Sequence, residues 1–72
     1  MDLKALMRGR YPKHVLACLQ LIADGFTAEE AAKYLGLDVE FVEDCLDQAR
    51  RRLLATSIEH SVARAIKLGL IV

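Results

Sequence analysis

No stretch of the chain approaches the ~20 consecutive apolar residues that a membrane-spanning helix needs. Met1 to Arg10 also lacks the unbroken apolar segment of a secretory leader. These two absences point to a soluble intracellular protein without membrane partners, with the cytoplasm as its expected location. Cysteine is scarce: Cys18 and Cys45 are too few and too far apart for a disulfide framework or a C-x-x-C metal pair. That agrees with a reducing compartment, and both read as small apolar residues. Aromatics make up only 6% of the chain, and Ala and Leu outnumber Val, Ile and Thr, the reverse of a β-rich composition. His14 and His60 have no partner at metal-ligand or catalytic spacing. No Ser/His/Asp or Cys/His constellation, glycine-rich phosphate loop or zinc ligand set can be assembled from these residues. The chain is therefore not expected to be an enzyme, nor to carry a metal, a cofactor or a small-molecule substrate.

What remains is a short, apolar, helix-favouring chain. At 72 residues there is room for one core and no second domain. With 54% hydrophobic residues it is disposed to fold, and so much apolar material in so small a domain suggests that a partner covers part of it. A homodimer is the simplest such arrangement. The formal net charge of +0 hides an uneven distribution. Residues 1–23 carry Lys4, Arg8, Arg10 and Lys13 against Asp2, which is +3. Residues 24–48 carry Asp24, Glu29, Glu30, Asp38, Glu40, Glu43, Asp44 and Asp47 against Lys33, which is −7. Residues 49–72 carry Arg50, Arg51, Arg52, Arg64 and Lys67 against Glu59, which is +4.

Punctuation by proline, glycine and capping residues divides the chain into four helices, a small all-α domain over residues 12–72. The first opens at Pro12 and sets Val15, Cys18, Leu19 and Ile22 on one face before Gly25 ends it. Ahead of it, Leu3, Leu6 and Met7 share a helical face, so residues 1–11 read as an arm or a short extra helix. Thr27 with Glu30 spells a capping box that starts a short second helix, Ala28 to Leu35, stopped by Gly36. Asp38 can cap a third helix, running to Leu54, whose inward positions are Val39, Val42, Leu46, Ala49 and Leu53. Ser57 can cap a fourth with Ile58, Val62, Ala65 and Ile66 on one side, followed by Gly69 and an apolar tail, Leu70, Ile71 and Val72.

A short helix, the turn Gly36-Leu37-Asp38 and a longer helix form a helix-turn-helix pattern. The run Ala23-Asp24-Gly25-Phe26-Thr27-Ala28-Glu29-Glu30-Ala31-Ala32-Lys33-Tyr34-Leu35-Gly36-Leu37-Asp38-Val39 resembles the DNA-binding domain of LuxR/GerE-type transcription regulators. That family has a small-acidic-Gly-Leu segment, a capped helix and a Leu-Gly-Leu-Ser-Val turn. The likeness continues without a gap through Val42, Leu46, Arg52 and Leu53 to Ala65, Leu68, Gly69, Leu70 and Ile71, so it covers residues 12–71. It implies a transcription regulator, associated with DNA and hence with the nucleoid, whose third helix enters the major groove. It also implies a fourth-helix dimer contact, with Val62, Ile66 and Leu70 as candidates, while Thr27, Arg50, Arg51 and Arg52 are candidate phosphate contacts.

The chain departs from the family on the outward side of the third helix, where Ser or Thr, Lys or Arg, and Asn or His are usual. Here stand Asp38, Glu40, Phe41, Glu43, Asp44 and Asp47, and position 45, often His in the family, is Cys45. Affinity for a duplex comes largely from cations that displace counterions, and no base lies between Asp38 and Asp47. Acids near a helix N-terminus complement its dipole, which accounts for Asp38 and Glu40. It leaves Glu43, Asp44 and Asp47, because Glu40 with Asp44 and Glu43 with Asp47 are like-charge i,i+4 pairs, each costing about 0.2–0.5 kcal/mol. Only Asp47 with Arg51 attracts in that register. Three readings stay open for this face. It contacts DNA with Lys4, Arg8, Arg10, Lys13 and Arg50 to Arg52 holding the backbone, it docks on a basic protein such as another regulator or a polymerase subunit, or it is a homodimer interface or lies under the basic N-terminal arm. Arg50 to Arg52 also have an ordinary role, stabilising the C-terminal end of their helix.

Overall fold

A computed structural model of the protein describes residues 13–72. The expected arm or short helix over 1–11 and Pro12 as a first helical residue lie outside the described residues. The described chain forms α1 (Lys13–Ala23), α2 (Ala28–Leu35), α3 (Val39–Arg52) and α4 (Ile58–Lys67), with no strand among the described residues. The local reasons are those the side chains supply. Thr27 sits in extended backbone ahead of α2, its hydroxyl accepts from the Glu30 amide at 3.1 Å, and Glu30 Oε1 accepts from the Thr27 amide at 2.9 Å. Ser57 does the same work for α4, accepting from the His60 amide at 3.0 Å. Asp38 occupies the corresponding backbone position before α3, but its side chain makes no capping bond. Its carboxylate acts on the helix through charge alone.

All four helices close with the same device, a bond from an amide to the carbonyl five residues back. Phe26 N–H donates to Leu21 O at 3.0 Å, and Leu37 N–H to Ala32 O, Ala55 N–H to Arg50 O and Leu70 N–H to Ala65 O, each at 2.9 Å. The residue before each donor lies in the left-handed region: Gly25, Gly36, Leu54 and Gly69, with φ of 99, 70, 54 and 75°. Three are glycine, which takes that conformation without a Cβ clash, and Leu54 is the exception. α3 therefore ends at Arg52 rather than at Leu54, which is turned outward and 81% exposed.

The core joins Val15, Cys18 and Leu19 of α1, Ala31 and Ala32 of α2, and Val42, Cys45, Leu46 and Ala49 of α3. Leu53, Ala65, Leu70 and Ile71 complete it. α3 packs on each of the other helices and most extensively on α1, so its inner side is fully covered. The inner side of α4 is not the simple apolar stripe of its sequence. Ile66, grouped by spacing with Ile58, Val62 and Ala65, is 47% exposed, while Ser61 is wholly buried with its hydroxyl donating to Ser57 O at 2.9 Å. Ser61 and Ala65 lie one turn apart, and Ile66, ~100° further round, falls on the outer flank. The apolar tail folds back on α1, burying Leu70 and Ile71, and Gln20 holds Val72 by both backbone groups, donating to its carbonyl at 2.7 Å and accepting from its amide at 2.9 Å.

Candidate interaction surface on α3

Because Val42, Cys45, Leu46 and Ala49 turn α3 inward, the helical repeat leaves the residues between them outside. Glu40, Phe41, Glu43, Asp44, Gln48, Arg51 and Arg52 are exposed, as is Asp38 at the cap position, and Asp47 and Arg50 are half-buried. The acids singled out in the sequence thus share one open surface. Phe41 is 44% exposed and makes an edge-to-face contact with His14 on α1, with ring centroids 5.6 Å apart at 79°. That contact anchors one side of the ring and leaves the rest to solvent.

The charges on this surface divide along the helix axis. Glu40, Glu43 and Asp44 form no ion pair among the described residues, and the arginines begin only at Arg50. Asp47 stands at the boundary, bonded to Arg50 at 3.0 Å and to Arg51 at 2.6 Å. The Asp47–Arg51 attraction expected from spacing is present, and Arg50 joins it from the next position. Arg50 also donates to Ala55 O at 3.4 Å, so its guanidinium ties the end of α3 to the following turn. Exposed pairs of this kind contribute about 0.2–1 kcal/mol each. They suffice to hold the two guanidinium groups near Asp47, which is where a phosphate would have to compete for them. Thr27, the other candidate phosphate contact, is exposed, with its hydroxyl oxygen and amide both committed to the capping box.

On α4, the three candidate dimer residues part company. Ile66 is open. Val62 packs partly against the core, and Leu70 is buried in the chain's own core at 3% exposure. Leu70 is therefore not free for a subunit contact, because the turn at Gly69 sends it inward.

A pair that the spacing concealed lies behind the acidic face. Cys18 and Cys45, 27 positions apart in sequence, come together between α1 and α3 with their thiols in contact. Burial pushes the Cys18 thiol up to about 11, and the neighbouring Cys45 adds to the rise. Cys45 is also raised, by burial first, with the thiol bond lowering it and the Asp44 carboxylate raising it. Both are thus unreactive packing groups, since the thiolate is the nucleophile.

Among the described residues no group of three His, Cys, Asp or Glu side chains is placed to hold a metal ion, and no helix is long and apolar enough to cross a membrane. The described residues form a small all-α domain of four helices, with charged side chains exposed along the outer side of α3. No protein-family model, curated protein or solved structure matches the chain.

Proposed function

We propose that the protein is a small helix-turn-helix regulator of transcription, of the LuxR/GerE type, that associates with DNA through α3 and the cations at its C-terminal end. The observation that carries this reading is the α2–α3 unit. A boxed two-turn helix stops at a left-handed Gly36, Leu37 packs against the core, and α3 follows after a three-residue turn with its outer side uncovered for nearly four turns. A helix presented in this way matches what the major groove admits. Arg50, Arg51 and Arg52 supply the phosphate contacts, and Ile66 is the residue left open on α4 for a dimer. The reading assigns the chain no catalytic role.

A second reading has a specific observation behind it. Glu40, Glu43 and Asp44 face solvent without a cation among them, and Asp47 engages both Arg50 and Arg51. A face so arranged repels phosphate and suits a basic protein. Titrating a labelled mixed-sequence duplex with the protein at about 50 and 200 mM salt separates the two. Anisotropy that rises with protein and collapses at the higher salt supports DNA association. An unchanged signal at the lower salt removes it and leaves the protein-docking reading.

A further inference from the structure

The outer side of α3 carries charges of both signs in an order that makes it complementary to itself. At ~100° per residue, Glu40 and Arg51 lie within about 20° of one another around the helix, as do Glu43 with Arg50 and Phe41 with Arg52. Each of these pairs is also centred on the same point of the axis, between Cys45 and Asp47, to within about one residue or 1.5 Å. Within one chain the members cannot meet, because Glu40 and Arg51 are separated by about 16 Å of helix and Glu43 and Arg50 by about 10 Å. A two-fold axis crossing α3 at that centre brings them together between copies.

We propose that two copies of the chain dock antiparallel through α3, with Glu40 and Glu43 of each copy meeting Arg51 and Arg50 of the other. Two-fold symmetry forms each contact twice. Asp44 then falls opposite Gln48 of the second copy, which can donate to it, and Phe41 falls opposite Arg52, an arrangement in which a guanidinium can stack on the ring. The existing bonds of Arg50 and Arg51 to Asp47 do not prevent this. A guanidinium has five N–H donors, and Asp47 fixes the two groups in place while leaving others to reach across. Other occupants satisfy the surface less well. A duplex meets the unpaired acids, and a purely basic partner leaves the arginine end opposed by like charge. A second copy matches both ends at once, and Asp47, which meets its own mate near the axis, has its charge offset by Arg50 and Arg51 of its own chain.

The docked copies cover the same surface that DNA or another protein would use, so self-association competes with either. The test contains no DNA, so this inference and the DNA reading can fail separately. Sedimentation equilibrium of the full chain at about 50 mM salt is expected to show a dimer that dissociates at about 500 mM, where the Debye length has shrunk to a few ångströms. Glu40→Arg and Arg51→Glu each place like charges opposite one another, and each alone should weaken the dimer by about tenfold or more. Mixed in equal amounts, the two variants regain opposite charges across the interface and should recover the dimer mass. Circular dichroism of each variant checks that it is folded, and the wild-type salt series stands by itself should one variant fail to fold. A wild-type chain that stays monomeric at low salt overturns the proposal. So does a dimer indifferent to salt and to both substitutions, which would place the contact elsewhere, on α4 or the N-terminal segment.

Discussion

Leu54 is an 81% exposed leucine at φ 54°, in a position where the other three helices of the domain have glycine. The left-handed conformation costs an L-residue about 1–2 kcal/mol through the contact of Cβ with the following carbonyl oxygen. Glycine removes that cost but adds unfolded-state entropy of roughly 0.5–1 kcal/mol, and little buried apolar area is lost at so exposed a site. Leu54→Gly is therefore expected to raise stability by about 0.5–1 kcal/mol, seen as a higher urea midpoint with unchanged slope. A lower midpoint would mean that the leucine side chain contributes packing. Cys18 makes a different kind of prediction. Its thiol is raised from the ordinary 9.0 to about 11, so at alkaline pH the unfolded chain releases this proton before the folded one does. Stability from this group is complete below pH 9.0 and is lost as pH rises towards about 11. Across that window wild type should lose on the order of 2–3 kcal/mol more than Cys18→Ala, measured by denaturant unfolding at each pH. Parallel curves for the two proteins would remove the burial argument.

The helices show which parts of the fold a sequence discloses. Every element whose boundary depends on residues three or four apart was legible: the Thr27–Glu30 box, the Gly36 stop, the Ser57 cap and the alternation that sends Glu40, Glu43 and Asp44 outward. The box is also testable at this scale, since α2 is only eight residues long and has few other means of starting. Thr27→Ala should cost about 1 kcal/mol by removing the hydroxyl that accepts from Glu30 N–H. Amide exchange in the first turn of α2 should speed up more than in α3. Uniform acceleration across both helices would show instead that α2 has no local stability of its own. What stayed hidden in the sequence has a physical reason in each case. Leu54 lacks the glycine signature of a helix stop, Asp38 resembles a cap whose bond is not made, and the burial of Ser61 depends on a hydroxyl satisfied by a carbonyl one turn earlier.

At the scale of the whole molecule, what determines the site is how α1 and α3 meet. Their interface brings Cys18 against Cys45 and His14 against Phe41, and no local pattern announces either contact because both depend on three-dimensional packing. The inward course of Leu70 and the hold of Gln20 on Val72 are of the same kind, linking residues 52 positions apart. The candidate surface was readable as a list of outward acids, while the engagement of Asp47 with Arg50 became visible only once the helix was built. The division of charge along α3 also bears on how the protein behaves in bulk. Its formal net charge is +0, yet one end of this helix presents carboxylates and the other guanidinium groups, far exceeding the roughly half charge that the peptide dipole places at each end. A neutral molecule with such a moment orients itself towards whatever charged surface it approaches. At low ionic strength it should be retarded on anion-exchange and cation-exchange resins alike, offering a different end to each.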